Sequence, residues 1–179
     1  MDCSTTCFGW AIFDDEKLIA YGKIIPDDKC KDVKDYNERI NKLVAQLHFT
    51  MKQYMPKEIY MEDVPRMNKG GVQTAIVLGC VHGAVSILAL LHHLPIHFIQ
   101  VGEWRHKIGL ATGNKEDMKR DNLKRLSIER TNKLFSLSLK YVSPSSKLNE
   151  DDAADAILIG ASNFDKYCAK YTKFGYLKE

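Results

Sequence analysis

Short apolar runs bounded by turn residues open the chain, and apolar positions at helical spacing follow. Phe8-Gly9-Trp10-Ala11-Ile12-Phe13 reads as a strand, Asp14-Asp15 as a turn, and Leu18 to Ile25 as a second strand stopped by Pro26, together a hairpin. Val33, Tyr36, Ile40, Leu43, Val44, Leu47, Met51 and Tyr54 recur at three- and four-residue steps, which predicts an amphipathic helix ended by Pro56. Glu58–Glu62 is a short strand that Pro65 cannot continue. Val72–His93 reads as an apolar helix, Pro95–Gln100 as the next strand and Lys115–Phe135 as a more polar helix. Asn149 begins a last helix whose apolar face carries Ala154, Ile157, Leu158, Ala161, Phe164 and Cys168.

With the short apolar start before Asp2 as a first strand, the order is β-β-β-α-β-α-β-α-α. This predicts one α/β domain, undivided by any linker: a mixed five-stranded sheet, an antiparallel hairpin passing into parallel strands, flanked by helices. Sites in such sheets form beyond the carboxyl ends of neighbouring parallel strands. Asp2 and Glu62 occupy those ends if the first and fourth strands are adjacent. Asp152 and Asp155, three apart on the last helix, share one face and can lie over the same edge.

Composition narrows the class. The 179 residues suffice for one real core, and 45% hydrophobic with 27% charged residues argue against disorder. The net charge of +3 is too small to imply nucleic acid. Its distribution says more: Glu103 to Lys140 holds ten Lys or Arg against five Asp or Glu, an excess larger than that of the whole chain. Lys119, Arg120, Lys124 and Arg125 form a basic face suited to phosphates or to plain solvation, and Asp117 and Asp121 offer it partners. Five cysteines without a C-x-x-C pair fit neither a zinc site nor a disulfide framework. With no secretory signal they predict a reducing, cytoplasmic setting, with Cys80 and Cys168 as buried thiols. No Asp, Glu, Lys or Arg occurs from Gly70 to Gly102, yet Gln73, His82, Ser86 and His92-His93 favour a buried core helix over a membrane span.

The candidate chemistry lies in four carboxylates: Asp2, Glu62, Asp152 and Asp155. Such a cluster without a compensating base is costly to fold unless divalent cations neutralise it, and all-oxygen ligands suit Mg²⁺ or Mn²⁺. A pair of these ions about 3.5–4 Å apart is a device for phosphodiester cleavage.

These residues resemble the RuvC-type Holliday-junction resolvases of the RNase H-like superfamily, most of all the versions carried by bacteriophages. Asp2-Cys3-Ser4-Thr5-Thr6 with Gly9-Trp10 is similar to the family's opening, and Ile59-Tyr60-Met61-Glu62 to its second acidic strand. Val77-Leu78-Gly79 with Gly83 resembles the small-residue helix that follows, and Asp152-Ala153-Ala154-Asp155-Ala156 the closing acidic motif. The resemblance implies an RNase H-like fold and a homodimeric, Mg²⁺-dependent endonuclease that nicks branched DNA at four-way junctions. It implies that Asp2, Glu62, Asp152 and Asp155 hold the metals, and it puts Lys107 and Lys115 where the family has basic residues near the scissile phosphate. The Val72 helix is the expected dimer surface.

Two departures bear on this. Family members carry several apolar residues before the first Asp, whereas Asp2 follows Met1 directly, which points to a truncated or misassigned start. An α-amino group, of reference pKa about 7.7–8.0, then lies beside the metals and weakens their binding, so restoring upstream residues is expected to raise activity. Past Glu62, Pro65-Arg66-Met67-Asn68 stands where bacterial members have an aromatic residue.

Plainer readings compete. Glu150, Asp151 and Asp152 suit the positive end of a helix that Asn149 caps. Asp151 is an alternative to Asp152, and Asp63 to Glu62. His82, His92, His93 and His97 read as core or surface histidines, and Trp104 as core or a base-stacking residue. Asp-x-Ser-Thr-Thr also resembles the phosphate loop of the sugar-kinase and actin-like superfamily, which needs a far longer chain. The nearer rivals are an RNase H-like nuclease acting on structured RNA and a branched-DNA binding module with weakened catalysis.

Overall fold

The computed structural model describes residues 1–26, 33–64, 71–111, 114 and 119–170. In chain order the elements are β1 (Asp2–Cys3), β2 (Phe8–Asp14), β3 (Lys17–Ile24), α1 (Val33–Tyr54), β4 (Ile59–Glu62) and α2 (Gly71–Leu91). They continue with β5 (Ile96–Ile99), α3 (Val101–Ile108), α4 (Arg120–Phe135) and α5 (Asp151–Ala161), then a 3-10 turn at Asp165–Tyr167.

The strands form two small sheets where the sequence predicts one of five strands. β1-β2-β3 is antiparallel, with Asp2 opposite Gly9 and Cys3 opposite Phe8, and β4-β5 is parallel from Ile59↔Ile96 to Glu62↔Ile99. β1, two residues long, is too short to carry a ladder along β4. Adjacency nevertheless holds: the Met1 amino group donates to the Tyr60 carbonyl, and the Glu62 N–H donates to the Met1 carbonyl at 3.0 Å.

Side chains alternate across strands, which decides what faces what. Cys3, Phe8, Ile59 and Met61 enter one core with Leu43, Leu47 and Met51 of α1 and Val81, Val85 and Leu88 of α2. Asp2 and Glu62 therefore face the opposite side. There a second core joins Trp104 and Ile108 of α3 to Leu158 and Ile159 of α5, and a third joins Ile128 of α4 to Ala154 and Ile157. Gly9 lets the layers close. A Cβ built on it would stand 1.9 Å from the Asp152 carbonyl oxygen, so β2 and α5 meet backbone to backbone.

Several expectations need correction. α2 is apolar all round but only partly a core helix: Val72–Leu91 is long and apolar enough to cross a membrane, and 28% of its 18-residue apolar window is buried. Val72, Ile76, Ile87, Leu90 and Leu91 are exposed, as is Cys80, and Cys168 is partly exposed. α3 has no counterpart in the sequence reading. The polar helix is described from Arg120. α5 begins at Asp151 and ends at Ala161, so Phe164 and Cys168 lie beyond it. Asn149 is no cap: its buried amide accepts from the Val142 N–H at 2.8 Å and donates to the Ser143 carbonyl at 2.7 Å, tying down the segment before α5.

Candidate metal and catalytic site

The side of β1 and β4 away from α1 and α2 gathers the four predicted carboxylates. Burial raises the pKa of Asp2 well above the usual carboxylate range, and the charges of Asp155, Glu62 and Asp152 raise it further. All three partners are thus near enough to be felt at one carboxyl. Burial lifts Asp155 from 3.8 to about 7; Arg105 and the Ser127 hydroxyl oppose that rise, while Glu62 and Asp151 add to it. Glu62 is raised by burial against the pull of Trp104 and Arg105. Asp152 is raised by burial and Asp151, against a hydrogen bond from the Cys7 thiol and the charges of Lys23 and Lys124. Burial also lowers the pKa of the Met1 amino group.

Neighbouring side chains hold these acids in place. Trp104, fully buried, donates from Nε1 to Glu62 Oε2 at 2.8 Å. It carries the Arg105 guanidinium over its ring at 5.0 Å, and Arg105 Nη2 reaches Asp155 Oδ2 at 4.0 Å. Lys23 Nζ donates to the Asn149 carbonyl at 2.7 Å, fixing the approach to α5 from β3. Among the described residues, Asp155 Oδ1 is buried without a hydrogen-bond partner. No three of the described His, Cys, Asp or Glu side chains stand close enough to hold an ion as they are. A groove along the hairpin turn, lined by Asp14, Leu18, Tyr21, Phe135 and Tyr167, contains none of the four acids.

The alternative ligands are engaged elsewhere. Asp63 accepts from Gln100 Nε2 and from the Val64 N–H. Asp151 pairs with Lys124 at 2.8 Å. Lys124 thus reaches across to α5, while Arg125 pairs with Glu129 at 2.6 Å and Lys107 with Glu103 at 2.9 Å along their own helices. Lys119 and Arg120 sit exposed at the start of α4, and Lys115 lies outside the described residues, as does Pro65-Arg66-Met67-Asn68. Trp104 is core, with its one polar atom turned to Glu62. Arg105, 4.0 Å from Asp155, escaped the sequence reading; so did Lys23 and Cys7. An eight-residue helix holding Glu103, Arg105, His106 and Lys107 gives no sign of which cation turns inward.

Trp104→Phe removes the donor to Glu62 while keeping most of the ring. We expect a loss of about 1–3 kcal/mol, the cost of leaving a buried acceptor unpaired, measured by urea unfolding.

Two layers of helices thus flank short sheets, with a hairpin leading and acids from β1, β4 and α5 on one side, an α/β fold that solved structures share. The chain is similar to Thermus thermophilus RuvC solved in complex with a Holliday junction substrate, at a TM-score of 0.62 and 15% identity, covering 90% of this chain and 87% of that one. It is also similar to a second structure of Thermus thermophilus RuvC, at 0.59 and 16%, covering 90% and 89%. No family model and no curated protein matches the chain. Both neighbours come from Thermus thermophilus, so a phage origin gains no support.

Proposed function

We propose that this protein is a divalent-metal-dependent endonuclease acting on branched DNA, with Asp2, Glu62, Asp152 and Asp155 as its metal ligands. The observation that carries this is Asp2: its buried carboxyl lies within the fields of the other three acids, on a fold shared with a protein solved on a Holliday junction. Buried like charges disfavour ionisation, and a divalent cation is the partner that reverses this. The donor set fits Mg²⁺ or Mn²⁺ because every ligand is a carboxylate oxygen and Asp155 Oδ1 is an unpaired, buried acceptor. The acids must close inward to hold an ion, since no three are yet close enough.

When bound, the metal supplies an activated water and charge stabilisation at the leaving oxygen. The chain's own groups orient the acids. Trp104 fixes one oxygen of Glu62 and leaves the other to turn inward. The Cys7 thiol aligns Asp152, and the Ser127 hydroxyl aligns Asp155. Arg105, now beside Asp155, would be free to meet a phosphate oxygen if Asp155 were to hold the metal. Lys119 and Arg120 extend the contact along the DNA backbone, where binding follows shape rather than a base code.

The reading includes a homodimer closed through the exposed face of α2, where Gly79 and Gly83 have open space around their Cα atoms and Ile87 and Leu90 are 61% and 71% exposed. Leu90→Asp with Ile87→Asp is expected to leave a folded monomer by sedimentation velocity. It also includes a reducing cytoplasm, where Cys3, Cys7, Cys80 and Cys168 stay as thiols.

A second reading, a branched-DNA binding module, is favoured by one feature: Arg105 already stands beside Asp155, where a cation would go. Nicking of a synthetic four-way junction by wild type and Asp155→Asn separates the two. Mg²⁺-dependent cutting by the wild type alone is the expected result; binding without cutting by either favours the module, and preferential cutting of structured RNA favours an RNA substrate.

A further inference from the structure

We propose that His48 and His92 form a second cation site, separate from the carboxylates, that takes a late first-row divalent ion such as Ni²⁺, Cu²⁺ or Zn²⁺. His48 Nδ1 and His92 Nε2 share a hydrogen bond of 2.8 Å, with ring centroids at 4.9 Å and planes inclined by 61°. The two rings come from different elements, α1 and the turn that follows α2. Their spacing is set by helix packing: Leu47 and Met51 of α1 and Leu88 and Ala89 of α2 are buried in one core. The turn itself is tied down. The His92 N–H donates to the Leu88 and Ala89 carbonyls, the His93 N–H to Leu90 and the Leu94 N–H to Ala89, with His93 in the left-handed region at φ 54°.

Metal–imidazole bonds of roughly 2.0–2.1 Å put two cis ligands of a tetragonal or octahedral ion about 2.9 Å apart, and two ligands of a tetrahedral ion about 3.4 Å apart. The observed spacing, that of a hydrogen bond, matches the first distance; an ion would replace the shared proton once the rings turn both lone pairs toward it, with neither helix displaced. Imidazole nitrogen selects these ions over Mg²⁺, which prefers oxygen. A nitrogen-to-nitrogen approach this close needs at least one neutral ring. Burial and the charges of Lys52 and His92 lower the His48 pKa, which favours the neutral, ligating form. Lys52 also repels an incoming cation. Among the described residues no third His, Cys, Asp or Glu joins the pair, so water fills the remaining positions.

Isothermal titration of the full chain with Ni²⁺ in excess Mg²⁺ tests the site, with His48→Gln, His92→Gln and Asp155→Asn beside the wild type. Each histidine variant is expected to bind Ni²⁺ at least about tenfold more weakly, the scale on which even outer-shell losses weaken metal sites. Asp155→Asn is expected to bind as the wild type does. As a check independent of variant folding, the electron paramagnetic resonance spectrum of Cu²⁺ on the wild type is expected to carry two nitrogen ligands. Equal Ni²⁺ affinity in the wild type and both histidine variants, or a Cu²⁺ spectrum lacking two nitrogens, would overturn the assignment.

Discussion

Asp155→Asn is expected to stabilise the metal-free protein while sharply reducing Mg²⁺-dependent cutting. Its folded-state pKa of about 7 stands above the ordinary 3.8, so the folded chain holds a proton that the unfolded chain releases. A raised carboxyl contributes stability that is full below the unfolded value and is lost as pH rises through the folded one. In EDTA the wild type should therefore lose stability between about pH 4 and pH 7, and Asp2, Glu62 and Asp152, all shifted upward, push the same way. Asparagine removes one of these ionisations, so the slope flattens without vanishing. At pH 8 the gain should be on the order of 1–3 kcal/mol, or a Tm rise of roughly 2–10 °C by calorimetry. Saturating Mg²⁺ should raise the wild type and leave the variant almost unmoved. Cutting should fall by at least about 10²–10³-fold, the scale of losing one charge-stabilising group from an active site.

Gly9→Ala is expected to be strongly destabilising, more so than alanine at Gly22 or Gly160. The added Cβ would meet the Asp152 carbonyl oxygen at 1.9 Å and its carbon at 2.6 Å, both backbone atoms that cannot rotate away, and Ala156 Cβ at 3.3 Å. Relief requires α5 to lift from β2, which breaks the packing of Ala154, Ile157 and Leu158, all fully buried. Overpacking of a core commonly costs about 1–3 kcal/mol, and rigid backbone on both sides puts this site at or above that range. Because the clash falls on Asp152 itself, metal binding should weaken even in the fraction that stays folded. Urea unfolding and Mn²⁺ titration of the same preparation measure the two effects.

The sequence made the hairpin, α1 and β4 legible because each shows its period plainly: the spacing of Ile40, Leu43, Leu47 and Met51 is that of a buried helix stripe, and all four are buried. α2 was legible as a helix but not in its burial. An all-round apolar helix carries no sign of which face is covered, and only packing shows that Val81 and Val85 are inside while Ile87 and Leu90 are out. The single sheet failed because strand count does not give ladder length, and β1 pairs over just two residues. Asn149 looked like a cap because helix starts favour asparagine, yet its amide is spent on the segment before the helix. Charge was the least legible quantity. Lys124 and Asp151 are distant in sequence and neutralise each other across α4 and α5, while Arg105 turns toward Asp155 from a helix whose Lys107 pairs with Glu103.

The central claim is that acids from β1, β4 and α5 hold divalent metal together. A crystal of the full chain grown with Mn²⁺ and measured at the manganese edge tests it most directly. The expected result is anomalous density between Asp2, Glu62 and Asp155, with Arg105 turned away from Asp155. Full Mn²⁺ occupancy elsewhere, with these carboxylates still apart and Arg105 still beside Asp155, would contradict the account.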